Sequence, residues 1–183
     1  MNNVFLSVVA LITYICSCIY IGKKENDTAQ RRLAYANSIN NFIILIFLSI
    51  FIPNIPISDP HFIPFISWIL LSEFLFTISH RILHTKYLYF LHKQHHQNNP
   101  SYTTSSFDAS LFEFLVGNIG TGVLPMYFIY GSKIAKVSYT IIVIYNVVLS
   151  HSREGPHIIH HKLFNYNYGQ GLYLFDRLFG TYK

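Results

Sequence analysis

Residues 62–96 read FIPFISWILLSEFLFTISHRILHTKYLYFLHKQHH, and this stretch decides how the chain is arranged. An apolar run, residues 62–79, passes without a break into His80-Arg81-Ile82-Leu83-His84, and His92-Lys93-Gln94-His95-His96 follows. A helix of about 20 apolar residues spans the hydrocarbon of a bilayer, so the histidines begin where a membrane span ends. Histidines at i, i+3 and i+4 stand on one helix face, and neutral imidazole is the commonest metal-ligating side chain. Outward from here the pattern returns once, as His157-Ile158-Ile159-His160-His161. Eight histidines exceed what one four-coordinate ion uses. Two metal ions sharing a histidine cage is the simplest reading.

The rest of the composition agrees with a membrane setting. Charged residues make up 11% of the chain and hydrophobic ones 51%. A soluble domain carries about 25% charged residues. The net charge of +5 is scattered between apolar runs, without a basic face or a nucleic-acid motif. That argues against nucleic acid as a partner and suits a membrane surface. Cys16 and Cys18 lie inside the first apolar run, which indicates lipid-facing filler rather than a disulfide framework.

Residues 4–21 form that first run. No positive n-region precedes it and no small-residue cleavage site follows, so it reads as a retained membrane helix. A polar linker at 23–41, a shorter apolar run at 42–52 and a Pro-rich turn lead to the span at 62–79. A polar loop, 97–110, then precedes a hairpin of two arms, 111–130 and 134–150, around Gly131-Ser132. Gly117, Gly120, Gly122 and Pro125 mark the first arm as kinked or only partly inserted. The expectation is an all-α polytopic membrane protein, with four to five membrane helices and a histidine-rich helical cap. Residues 1–60 supply N-terminal membrane helices and linker, and residues 61–183 the catalytic domain, within one folded unit. The three clusters can meet only if the hairpin leaves and returns on one side. Every Lys and Arg except Lys133 and Lys136 then falls on the histidine side, which the positive-inside rule makes cytosolic.

Other residues take supporting roles. His151 follows the last span as a ninth ligand, a support for one, or an ordinary helix-end histidine. His61 sits at the far end of its span and is no ligand. Glu73 is an acid within an apolar run, costly unless it faces protein or water. It shares a helix face with His80 and His84, where a carboxylate can accept a ligand's second N–H and orient the ring. Asp108, Glu113, Asp176 and Arg177 read as caps or pairs near the cytosolic ends. A cage of neutral imidazoles leaves paired ions Lewis acidic with positions open for dioxygen. Such a site can take hydrogen from an unactivated C–H bond of a substrate still partly in the bilayer. Zinc, copper or nickel would suit the same donors. Iron follows from the reaction class.

From about residue 73 to 183 the chain resembles the fatty acid hydroxylase and sterol desaturase superfamily. Glu73, His80-Arg81-x-x-His84 and Leu91-His92-Lys93-Gln94-His95-His96 are similar to its first two histidine boxes, and 157–161 to its third. The tail, Phe164-Asn165-Tyr166-Asn167-Tyr168-Gly169-Gln170 and then Asp176-Arg177-Leu178-Phe179-Gly180-Thr181-Tyr182, is similar to the Δ7-sterol C5-desaturase branch. His151 falls where that branch has the histidine of an HDG-like motif. The resemblance implies two iron ions held by His80, His84, His92, His95, His96, His151, His157, His160 and His161, with zinc a substitute in purified protein. It implies supporting or substrate contacts for Glu73, Glu113, Asn167 and Asp176. Dioxygen would be co-substrate and a membrane lipid or sterol the substrate. Cytochrome b5 and its reductase would donate electrons at an endoplasmic-reticulum membrane. The implied reaction introduces a C5–C6 double bond. A hydroxylase of fatty acyl, sphingolipid or sterol C–H bonds is the enzyme alternative; an inactive relative or a membrane metal-binding protein is the non-enzyme one.

Overall fold

A backbone in lipid has no water to bond and must satisfy its own N–H and C=O groups, so each long apolar run becomes a helix. The computed structural model describes residues 2–57 and 63–183, and His61 lies outside them. The helices are α1 (Asn3–Ile21), α2 (Ala29–Leu48), α3 (Ile63–Leu83) and α4 (Tyr89–His96). A π-helix (Glu113–Gly120) then runs directly into α5 (Thr121–Phe128), followed by α6 (Lys133–Ser150), α7 (His157–Leu163) and α8 (Leu174–Leu178). Among the described residues, three segments, Asn3–Lys24, Pro64–Leu83 and Lys133–Ser150, are long and apolar enough to cross a membrane. α1 packs on α2 and α6, and α3 on α5. Phe5, Ile12, Ile19, Phe47, Phe128 and Ile134 point outward, as lipid-facing side chains do. The protein is all-helical and polytopic in the membrane.

Caps fix where the helices begin. Asn2, Thr28 and Ser132 accept from the main-chain N–H of Val4, Arg31 and Ala135 at the starts of α1, α2 and α6. Between the arms of the hairpin, a Cβ at Gly131 would stand 2.4 Å from the Trp68 ring, so only glycine fits beneath that indole. The irregularity expected from the glycines of the first arm takes the form of the π-helix.

Two polar stretches of the sequence pack together, and the second of them is interior. The linker at 23–41 is helical from Ala29 onward, and the loop at 97–110 is buried against it. Ser38 donates to Thr104 O (3.0 Å), and Asn41 Nδ2 to Phe107 O and Ala109 O (both 3.1 Å). Tyr14 in α1 donates to Thr104 O at 2.8 Å, and Cys18, expected to face lipid, is buried beside Thr103 O. The polar residues of α2 thus pair with carbonyls of a segment that has only one short 3-10 turn of its own, Thr103–Ser105, and could not otherwise be buried. Tyr14, Phe42, Phe107 and Phe114 stack around this junction, with neighbouring ring centroids 5.1–5.6 Å apart. This packing positions residues 101–110 as a platform under α4. Lys136 is fully buried and donates its Nζ to Pro56 O.

Candidate metal centre

α3, α4, the end of α6 and α7 deliver all nine expected histidines to one place. Their nitrogens fall into two groups, each with its ligand atoms within 4.8 Å of one another. One holds His80, His84, His92, His96 and His160; the other holds His95, His151, His157 and His161. Each HxxHH triplet is therefore divided. In α4 the outer two histidines face one group and His95 the other; in α7 only His160 joins the five.

Main-chain carbonyls set the ring tautomers. A carbonyl can only accept, so the nitrogen facing it must carry the proton. His160, His157 and His80 donate Nδ1–H to three consecutive carbonyls, Tyr166 O (2.8 Å), Asn167 O (3.1 Å) and Tyr168 O (2.8 Å). His95 donates to Asp108 O (3.2 Å) and His151 to Val147 O (2.8 Å). His92 donates to the Glu113 carboxyl at 2.6 Å. Each of these rings then turns a bare Nε2 inward. His80 Nε2 faces His92 Nε2 at 3.0 Å, and His151 Nε2 faces His95 Nε2 at 3.2 Å. Unshielded lone pairs repel at that separation, whereas nitrogens roughly 2.0–2.1 Å from a shared ion stand about 3 Å apart. His157 Nε2 is buried with no hydrogen-bond partner among the described residues. The donor set fits metal ions.

Burial, first of all, pushes His84, His92, His95, His96, His151, His157, His160 and His161 below the ordinary imidazole range. Repulsion from neighbouring imidazoles adds to this for all but His95. His84 falls to about 4 and His151 to about 3. All are neutral at pH 7, the form that ligates metal.

The tail after α7 is folded by its acids. Asp176 is fully buried and accepts from Tyr168 N (3.0 Å), Gly169 N (2.6 Å) and Thr181 Oγ1 (2.7 Å). Arg81 reaches Asp176 at 3.4 Å, donates to Thr181 Oγ1 and lies over the Tyr168 ring. Asn167 adopts the left-handed region at φ 53° and bonds Pro156 O and both main-chain groups of Lys183. These contacts hold the three carbonyls against the rings.

A family model described as fatty acid hydroxylase matches residues 65–181, which include all nine histidines. The chain belongs to the fatty acid hydroxylase family. Among curated relatives, the Δ7-sterol 5(6)-desaturase of Eremothecium gossypii is 32% identical over 131 residues, 63% of this chain and 36% of that protein. The Δ7-sterol 5(6)-desaturase erg32 of Schizosaccharomyces pombe is 31% identical over 132 residues, 63% of this chain and 39% of that one. The aligned stretch thus spans well under half the length of either relative. No solved structure matches.

The placement of the acids differs from expectation in one respect. Glu73 shares a face with His80 but accepts from Tyr173 N (2.6 Å) in the tail, not from an imidazole. Glu113 performs the orienting role expected of Glu73. Glu113 opens the π-helix, its main-chain N–H bonded to Ser110 Oγ, and faces His92 from there. Asp108 acts through its carbonyl on His95, and its carboxylate accepts from Gln94 and Asn98 beside the ligands.

Beneath the histidines a small cavity, lined in part by His80, His92, His95, His151, His157 and Glu113, adjoins a larger apolar chamber of about 370 Å³ between α1, α2, α5 and α6. Asn118 and Val147 line both.

Proposed function

We propose that this chain is an oxygen-dependent di-iron oxidoreductase that introduces the C5–C6 double bond of a Δ7-sterol. The observation that carries the reading is the pair of inward-facing histidine groups beside an apolar chamber. The names of the two curated relatives support the sterol as substrate. One iron would sit among His80, His84, His92, His96 and His160, the second among His95, His151, His157 and His161. Iron so bound supplies dioxygen activation and oxidation of an unactivated C–H bond. Overall, one hydrogen leaves C5 and one C6, while dioxygen takes up two electrons and two protons to form two waters.

The chain's own residues do the rest. Carbonyls of 166–168 and Glu113 hold the rings in the tautomer that frees Nε2. The chamber binds apolar skeleton, and the buried cage excludes bulk water from reacting carbon. On this reading cytochrome b5 and its reductase donate the electrons, at an endoplasmic-reticulum membrane with the histidines cytosolic. With the histidines cytosolic, every Lys and Arg except Lys133 and Lys136 would fall on the cytosolic side, which supports that orientation. The test is expression in cells lacking their own C5-desaturase, with sterols read by mass spectrometry. A 5,7-diene is expected; Δ7-sterol persisting unchanged in cells that contain the iron-loaded chain contradicts the reading. The family's name favours a second reaction, C–H hydroxylation, and a product that has gained one oxygen atom would identify it.

A further inference from the structure

The chamber is apolar, yet it is lined by several hydroxyl and amide side chains. Nearly all already have partners within the protein. Asn3, Ser7, Ser49, Tyr127, Tyr139 and Thr140 each donate to a main-chain carbonyl. Gln170 Nε2 donates to Ser72 Oγ. Asn118 differs: its main-chain carbonyl accepts from Thr121, and its carboxamide has no hydrogen-bond partner among the described residues. It also stands where the chamber meets the histidine cavity.

The π-helix explains how it comes to be there. In an α-helix, residues five apart project about 140° from one another. Bonding from i to i+5 widens the turn, so Glu113 and Asn118 return to nearly the same face. Both line the histidine cavity, and Glu113 is the residue that orients His92. The π-turn therefore brings an unpaired amide round to the face from which Glu113 meets His92, at the mouth of the chamber. The side chain is half-buried, so its amide stands accessible at the mouth of an otherwise apolar chamber, where it can bond a ligand's hydroxyl.

We infer that Asn118 binds the single hydroxyl of a sterol and so fixes which carbons meet the metal centre. The inference rests on the sterol reading of the same site. In a Δ7-sterol the hydroxyl-bearing carbon, C3, is two bonds from C5. Anchoring that hydroxyl at the junction puts C5 and C6 beside the histidines and leaves the remaining rings and side chain to the apolar chamber.

The experiment compares a Δ7-sterol with its 3-deoxy analogue for binding to the detergent-solubilised, metal-loaded chain. The unaltered chain should bind the hydroxylated sterol at least about tenfold more tightly, the worth of one well-placed hydrogen bond. Asn118→Leu should bring the two affinities together by weakening the hydroxylated sterol alone, and Asn118→Ser should recover part of the preference. Equal binding of the two sterols by the unaltered chain overturns the inference whether or not any variant folds. So does Asn118→Leu with its metal intact and its preference unchanged. If neither sterol binds while both metals are retained, the sterol reading itself is overturned, and this inference with it.

Discussion

Asn167 sits at φ 53°, its side chain bonds Pro156 O and Lys183, and its carbonyl takes the Nδ1–H of His157. A left-handed backbone costs a residue with a Cβ about 1–2 kcal/mol, a cost glycine escapes. Asn167→Gly should therefore lower thermal stability through its lost hydrogen bonds. Asn167→Ala should lower it further by about 1 kcal/mol, read from unfolding in detergent micelles. Equal stability of the two would mean the backbone there is unstrained. Glu113 allows a sharper separation. Asn or Gln oxygen can still accept the His92 proton, so Glu113→Gln should keep metal affinity near normal. Glu113→Ala should weaken the five-histidine group roughly 10–100-fold in metal titrations and spare the other group. Imidazoles were legible from spacing because side-chain identity is written in the sequence. Their acceptors were not, because five of the six are main-chain carbonyls that any residue could supply.

The segment from Asn165 to α8 works as a strap across α3 and α7. Its integrity rests on Asp176, a buried carboxylate with three hydrogen-bond donors and Arg81 at its edge. Asp176→Ala leaves Arg81 and two main-chain N–H groups without their acceptor, and should cost roughly 3 kcal/mol of stability. Metal content should fall with it, since the carbonyls of 166–168 lose their anchor; full metal content in a destabilised Asp176→Ala protein would show that the strap does not position the rings. Gly169 marks how close the strap lies, for a Cβ there would meet Glu73 Oε1 at 2.7 Å. Helical period located α1, α3 and α6 well. It gave only the second half of α2, through the apolar run at 42–52, and left 97–110 as a polar loop, because the buried partners of Ser38 and Asn41 are known only from the fold. Nothing in a single-sequence period reveals a π-turn, or that Glu113 rather than Glu73 meets an imidazole.

Across the molecule, the membrane arms bring histidines from residues 80 to 161 into one cage, with an apolar chamber below. Topology by apolar runs and the convergence of three clusters followed from the sequence. The division of the nine ligands into five and four did not, because it depends on how α4 and α7 are rotated about their axes. The most direct test is metal analysis of the purified chain loaded with ferrous iron. About two ions per chain are expected, falling to about one when His95 and His151 are both replaced by alanine, with the five-histidine site still filled. One ion or none in the unaltered chain, or loss of all metal with that pair, would contradict two separate histidine sites.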